Sequence, residues 1–273
     1  MTRIKNKTVL ITGAASGIGY EMCKMLLSRG VGKIIIWDIN QDFISDLPSK
    51  FQTGHERVSG THMDVTDTNR IVAEAEKLIA SDNCPDILIN NAGIIVGKDF
   101  AEHQHHEIDN MMNVNIMGAM HVTLAFLPAI ISRGSGHIVN VASAAGLTSN
   151  PKMSVYVASK WAMTGWSDSL RIELEHLGKD LHVTTVNPYY INTGMFEGVQ
   201  STPLLPILKP ESVASKIIKC IETNKLRLRM PFLVKFTPLA AGLLPPRLFD
   251  VIVGGWFGIY RSMDHFTGHK NKL

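Results

Sequence analysis

Ser143, Tyr156 and Lys160 fall within one short stretch, thirteen residues from serine to tyrosine and four from tyrosine to lysine. Residues Ser154 to Lys160 read as the start of a helix, and positions four apart on a helix share a face. The Lys160 ammonium is therefore expected beside the Tyr156 phenol. A free phenol titrates near ~10, too high for a general base at neutral pH. A neighbouring positive charge favours the phenolate and lowers that value. Ser143 follows the strand-like run His137 to Ala142, so its hydroxyl can face the same spot. A serine donor, a tuned tyrosine and a lysine suit the removal of an alcohol proton, or its return to a carbonyl. By itself, Tyr-x-x-x-Lys also fits an ordinary amphipathic helix with a surface lysine, so the motif needs context.

That context begins at the start of the chain. Thr8 to Ile11 is a short apolar run of strand type. It leads into Thr12-Gly13-Ala14-Ala15-Ser16-Gly17-Ile18-Gly19, then a helical pattern through Met22, Met25, Leu26 and Leu27. Strand, glycine-rich turn and helix is an arrangement that binds a dinucleotide pyrophosphate, because backbone and phosphate can approach and the helix N-terminus favours an anion. The spacing is G-x-x-x-G-x-G. Tight packing of strand on helix would also call for such glycines. The next strand, Lys33 to Trp37, ends at Asp38, about 20 residues past the turn, where a carboxylate can bond ribose hydroxyls. It would also repel a 2′-phosphate, and the turn contains no Lys or Arg. Both features favour NAD over NADP. Asp64, followed by Val65, can bond the adenine amine or cap a helix starting near Asp67; both readings stay open. The buried-strand run Asp86 to Ile89 ends in Asn90-Asn91-Ala92-Gly93, which can tie strands together and line the cofactor groove.

Together these residues resemble the short-chain dehydrogenase/reductases. The matching pieces are Thr12 to Gly19, Asp64, Asn90 to Gly93, Asn115, Ser143, Tyr156, Lys160 and Pro188 to Thr193, in the family's order and spacing. The resemblance implies a single-domain Rossmann fold with NAD held by Gly13, Ser16, Gly17, Ile18, Gly19, Asp38, Asp64, Val65, Asn91, Ala92, Gly93, Pro188 and Ile191. It implies a tetrad of Asn115, Ser143, Tyr156 and Lys160, with Lys160 also on the nicotinamide ribose and Thr193 on the carboxamide. In that family the asparagine lies mid-helix and supports a water-borne proton relay to the lysine. One departure is Pro188-Tyr189-Tyr190, where the family commonly has Pro-Gly; an aromatic there narrows the space beside the nicotinamide. Thr193 to Gly198, Leu205 to Pro210 and Tyr260 to Asp264 look like the retinol dehydrogenase and 17β-hydroxysteroid dehydrogenase branch. That implies a lipophilic alcohol or ketone as substrate, lined by Tyr189, Tyr190, Met195 and Phe196. Many such relatives associate with membranes through an N-terminal anchor, which is not expected here because the glycine turn begins at Gly13. The rival reading is a nucleotide-sensing regulatory protein with little turnover; a sensor has no need of Tyr156 and Lys160 together.

The 273 residues show no linker-like stretch, which predicts one α/β domain over the whole chain. Short apolar runs alternate with helical patterns, which predicts a seven-stranded parallel sheet with helices on both faces. The strands are expected to start near Thr8, Lys33, Thr61, Asp86, His137, His182 and Leu226. A net charge of +3 and the absence of a basic, aromatic-laced block argue against a nucleic-acid partner. Cys23, Cys84 and Cys220 suit buried thiols in a reducing, cytoplasmic setting. His103-x-His105-His106 is expected to be a solvated loop, not a metal site. No signal peptide is read, and no run of about 18 uncharged apolar residues. Residues 189–210 are expected on the substrate side. The apolar extension 231–273 can be a lid, a surface that dips into a membrane, a subunit interface or a pair of helices completing the core. The long helices expected over Glu107–Ile131 and Ser154–Leu177 would, by the resemblance, join subunits into a homodimer or homotetramer.

Overall fold

Most of the strands are built around short apolar runs, and the central ones are buried on both sides, as a parallel sheet requires. In the computed structural model, which describes residues 1–268, these are β1 (Thr8–Thr12), β2 (Lys33–Asp38), β3 (Val58–His62), β4 (Ile87–Asn90), β5 (Ser135–Val141), β6 (Asp180–Pro188) and β7 (Arg227–Met230). All pair in parallel in the order β3-β2-β1-β4-β5-β6-β7. Every start lies within three residues of the expected one. The largest difference is β3, which begins at Val58 opposite Ile34. Its sequence, Val-Ser-Gly-Thr-His, carries almost no hydrophobic signal, so only the pairing with β2 defines it.

Alternate strand residues point to opposite faces. Val9, Ile11, Ile34, Ile36, Ile87 and Ile89 share one apolar cluster with Met22, Cys23 and Leu26 of α1 (Gly17–Ser28). Leu10, Ile35, Trp37 and Leu88 face the other cluster. There they meet Ile71 of α2 (Thr68–Ala80) and Phe126 of the rod described below. Each such side chain, fully buried, contributes roughly 1.5–3 kcal/mol. The order reverses between β1 and β4, which opens a crevice at the carboxyl ends of the strands.

The rod on that second face is α3 (His105–Met112), a π-turn at Asn113–Met117 and α4 (Gly118–Arg133). It spans His105–Arg133, and an 18-residue window within it, of mean hydropathy 1.8, is long and apolar enough to cross a bilayer. This differs from the expectation of no such run. Val122, Phe126 and Ile130 are packed against the sheet, so here the apolarity serves the core. Beside it lies α5 (Ser154–His176).

His137 of β5 is fully buried. Its Nδ1 lies 3.2 Å from Thr2 Oγ1 and its Nε2 2.8 Å from Thr184 Oγ1. Burial, helped by the nearby His182, pushes its pKa down to about 3. An unfolded chain takes up this proton near 6.5. The stability contributed by neutral His137 is therefore full above about pH 6.5 and is lost as pH falls toward 3, by about 1.4 kcal/mol per pH unit. Denaturant melts between pH 6 and 4 are expected to show a shallower loss for His137→Gln than for the unaltered protein. Identical slopes would contradict this.

Candidate active site

The crevice is walled first by the glycine turn. Gly13 and Gly17 hold φ of 66° and 56°, in the left-handed region that glycine adopts without strain. A Cβ on Gly13 would lie 2.7 Å from Ala92 Cα, so the turn packs directly on the end of β4. Thr12 Oγ1 accepts from the Asn91 and Ala92 amides at 3.0 and 3.1 Å. Asn91 Nδ2 donates to the Thr12 and Gly13 carbonyls at 3.0 and 2.7 Å. Deeper in, Asn90 Nδ2 donates to Asn140 Oδ1 at 2.8 Å and to Thr123 Oγ1 at 2.9 Å, tying β4, β5 and α4. Asp38 accepts from the Ala15 amide at 2.8 Å and the Asn40 amide at 2.9 Å. Helix α1 then starts with no side-chain cap from Ser16 and no acid in its first turn. Its first amides remain available for an anion. Ile18 and Gly19 lie within that first turn and are buried.

Asp64 does not cap α2. That place belongs to Asp67, which accepts from the Arg70 amide at 3.0 Å. Asp64 instead accepts from the Thr66 amide and hydroxyl, both at 2.8 Å, and is exposed. The Val65 side chain belongs to the core, so only its backbone can face a nucleotide.

Tyr156 and Lys160 stand one turn apart on α5, as their spacing requires. Lys160 is 4% exposed, and its ammonium donates to the Val141 carbonyl at 3.0 Å and lies 5.6 Å from the Tyr156 ring centroid. Burial lowers its pKa to about 8. Tyr156 is also buried, and burial pushes its phenol up, with the Ser143 hydroxyl working in the opposite direction and Tyr190 adding to the rise. The lowering expected from Lys160 is thus not seen in the protein alone, where loss of water around the ring dominates. Ser143 sits just past β5, with Oγ accepting from the Ala145 amide at 3.1 Å. Its carbonyl accepts from Asn187 Nδ2 at 2.9 Å. Asn115 lies in the π-turn, which re-aims side chains within a helix. Its Oδ1 accepts from the Ile94 amide at 2.8 Å, and its Nδ2 donates to the Ile94 carbonyl at 2.9 Å and Ser159 Oγ at 3.0 Å. A Cβ on Gly93 would stand 3.2 Å from Asn115 Oδ1 and 3.6 Å from Lys160 Nζ. The asparagine, the lysine and the end of β4 therefore meet at one point.

The remaining wall comes from residues after β6. Pro188 ends that strand, and Ile191 pairs with Leu208. Thr193 faces the glycine turn: a Cβ on Gly17 would lie 3.2 Å from its Cγ2. A cavity of about 30 Å³ lies next to Ser143, walled by Thr148, Asn150, Tyr189, Tyr190 and Phe196. Phe196 packs edge-on at 6.1 Å from Tyr156 and 5.1 Å from Tyr190. Three of the four expected substrate-side residues are thus brought together. Met195 is not among those lining the cavity; along this loop its neighbour Phe196 takes that place.

Sequence reasoning missed Thr148, Asn150, Ile259 and Ser262. Ile259 lines the cavity, and Asn150 Nδ2 donates to Tyr190 Oη at 2.9 Å and Ser262 Oγ at 3.0 Å. Asn150 offered a signal, a lone amide between Ser143 and Tyr156; Ser262 lies in the family-like stretch Tyr260 to Asp264, which gave no sign of its partner, and Ile259 offered none. Ile259, Met263 and Phe266 pack onto the site, so this part of the C-terminal extension completes the core. Phe232 to Trp256 instead leaves large apolar side chains exposed. The His103 stretch also differs from a solvated loop. The His103 side chain is 1% exposed and 3.5 Å from Glu107, while His105 and His106 begin α3 in the open. Among the described residues no group of three or more His, Cys, Asp or Glu is placed to hold a metal. The three cysteines are free thiols.

A parallel sheet with a glycine turn at its switch point and a Ser, Tyr, Lys and Asn cluster beside it defines a nucleotide-dependent oxidoreductase. The sequence pattern described as short chain dehydrogenase matches residues 7–203. Epidermal retinol dehydrogenase 2 of Homo sapiens is 33% identical over 274 residues, covering 99% of this chain and 88% of that protein. Estradiol 17-beta-dehydrogenase 11 of Homo sapiens is 33% identical over 254 residues, covering 91% and 83%. The chain belongs to the short-chain dehydrogenase family. Among solved structures, a short chain dehydrogenase/reductase from Burkholderia phymatum in complex with NAD shares the fold with TM-score 0.78 at 23% identity, covering 100% of this chain and 99% of that one. A short chain dehydrogenase from Burkholderia cenocepacia in complex with NADP gives TM-score 0.77 at 26% identity, covering 92% and 98%.

The contact of Gly13 with Ala92 yields a direct expectation. Gly13→Ala places a Cβ against the β4 end at a φ that alanine resists. It should lower stability by more than about 1 kcal/mol and weaken nucleotide binding. Calorimetric melting and cofactor titration check both. A protein of unchanged Tm and affinity would contradict the packing described.

Proposed function

We propose that the protein is an NAD-dependent alcohol dehydrogenase or carbonyl reductase acting on bulky apolar primary or secondary alcohols and their aldehydes or ketones. The observation that carries this reading is the meeting of Lys160, Asn115 and Gly93 beside Tyr156, at the end of a groove opened by the glycine turn. The groove fits a dinucleotide: its turn can take a Cβ at neither Gly13 nor Gly19, and its helix N-terminus is uncapped. Gly13, Ser16, Gly17, Ile18 and Gly19 would hold the pyrophosphate. Asp38 would hold the adenosine ribose, Asp64 and Val65 the adenine, Asn91 to Gly93 the floor, and Pro188, Ile191 and Thr193 the nicotinamide end. When bound, oxidised nicotinamide supplies a hydride acceptor and a positive charge. Tyr156 takes the hydroxyl proton, and a positive charge nearby offsets the burial that otherwise keeps the phenol protonated. Ser143 orients the substrate oxygen. Lys160 supports Tyr156 and has donors to spare for the ribose, since Val141 takes only one. Asn115 supports the relay to Lys160.

Asp38 supports NAD over NADP: its two oxygens already draw the Ala15 and Asn40 amides inward, leaving a carboxylate where a 2′-phosphate would stand. The apolar side chains of Tyr189, Tyr190, Phe196 and Ile259 support a lipophilic substrate. A cavity of about 30 Å³ holds no more than about two waters. It can take only the reacting end of a bulky substrate, whose remainder would lie outside it.

The exposed apolar side chains of Phe232, Leu239, Leu243 and Trp256 support a peripheral membrane contact for a cytoplasmic protein. Lys235 and Arg247 lie among them, and no acid occurs between Thr223 and Phe249. A homodimer or homotetramer is supported by exposed Leu124 on α4 and Trp161 on α5.

Tyr156→Phe is expected to leave cofactor affinity nearly unchanged and lower kcat by about 10²–10⁴-fold. A near-normal rate in an NAD-coupled assay with 2-decanol or retinol would sink the assignment. Asp38→Ala should weaken NAD and narrow its advantage over NADP; an unaltered protein that already prefers NADP would overturn the cofactor choice. For the membrane contact, flotation with phosphatidylcholine–phosphatidylserine vesicles should carry the protein upward, and Leu239→Asp with Leu243→Asp should prevent it. Protein that stays at the bottom without the substitutions would refute it.

A further inference from the structure

Two buried oxygens on the walls of the cavity beside Ser143 have no hydrogen-bond partner in the protein: Thr148 Oγ1 and Asn150 Oδ1. Asn150 is 8% exposed, and its amide is already fixed by the contacts of Nδ2 with Tyr190 and Ser262. Turning the amide over would exchange which end is bonded and still leave one end without a partner. Leaving a buried polar atom unpaired is costly, and two such atoms around one small cavity have a common remedy. The rest of the lining is mainly apolar, with Ala144, Ala145, Met153, Phe196 and Ile259 around them.

We infer that Thr148 and Asn150 form a polar subsite for a second hydrogen-bonding group of the substrate, a hydroxyl separate from the oxygen that reacts at Tyr156. This rests on the alcohol dehydrogenase reading and narrows it. The substrate is an apolar molecule whose reacting end carries two oxygens: one at Ser143 and Tyr156, the other at Thr148 and Asn150. Asn150 Oδ1 accepts from the second hydroxyl, and the Thr148 hydroxyl donates to it or accepts from it. Ser262 and Tyr190 are positioning residues, because they hold the Asn150 amide. The C-terminal tail thereby reaches the substrate in two ways, directly at Ile259 and through Asn150 from Ser262.

The test compares 1,2-decanediol with 2-decanol, matched in chain length and differing in one hydroxyl. Their affinities for the protein loaded with NADH are measured by calorimetry, where no oxidation can follow, and their kcat/KM values with NAD by absorbance. Thr148→Val keeps the shape and removes only an oxygen that bonds nothing in the protein, so the fold should tolerate it. It is expected to lower the diol-to-alcohol ratio of both quantities by about 3- to 10-fold, the range of one hydrogen bond. Thr148→Ser, which returns a hydroxyl, should restore the ratio. A purely structural role would shift both ligands together and leave the ratio fixed. If both alcohols bind and react but the ratio is the same in all three proteins, the subsite is occupied by water alone and the inference is wrong. If neither alcohol binds or reacts, the alcohol dehydrogenase reading fails and the subsite falls with it.

Discussion

An ammonium group with almost no access to water is the constraint around which this site is arranged. Lys160 has one protein acceptor, the Val141 carbonyl, and an ammonium has three protons to donate. Burial lowers its pKa to about 8, below the value of a free lysine. Such a group costs the fold stability below about pH 8, and the cost fades as pH rises toward 10.5. The arrangement persists because several elements hold the lysine where its spare donors are of use. The end of β5 offers the carbonyl, Gly93 leaves space, and Ser159 on the same helix takes a bond from Asn115. The same burial explains why Tyr156 is not a ready base by itself. Burial pushes both groups toward their neutral forms, the lysine down to about 8 and the tyrosine up.

That dependence orders the rest of the chain. The reversal of strand order between β1 and β4 makes the crevice, and the contact of Thr12 with Asn91 and Ala92 fixes its two lips at one height. Asp38 then closes onto the Ala15 amide, so one carboxylate ties the glycine turn to the end of β2. On the far side, Thr193 faces Gly17 across the crevice. The segment after Pro188 therefore touches both the glycine turn and, through Phe196, Tyr156.

Much of this was legible in the sequence because it depends on local spacing. The glycine turn, Asp38, the Asn-Asn-Ala-Gly end of β4 and the Tyr-x-x-x-Lys pair each announce a position on one element. The central strands announce themselves by apolar runs; β3 does not, since its residues are polar or small and only β2 gives it shape, and β7, Arg-Leu-Arg-Met, alternates charged with apolar residues. What stayed hidden depends on distant segments meeting. Nothing in Tyr190 foretells that its hydroxyl will join Asn150 and Ser262, which are 40 and 72 residues away. The Tyr156 phenol was misjudged for a related reason: spacing places a cation near it, but only the packed structure reveals how thoroughly water is excluded. Asp64 was ambiguous between nucleotide and helix cap, and the position of Asp67 one turn-length later removes the second use.

The central claim is that this groove moves a hydride directly between a substrate carbon and a nicotinamide while Tyr156 handles the proton. The most direct measurement is the fate of isotope from 2-decanol bearing deuterium at the carbinol carbon, incubated with the protein and NAD in ordinary water. The account predicts that each reduced cofactor carries one deuterium at C4, on a single face, with 2-decanone formed in equal amount. Reduced cofactor containing only solvent hydrogen, or ketone formed without cofactor reduction, would contradict it.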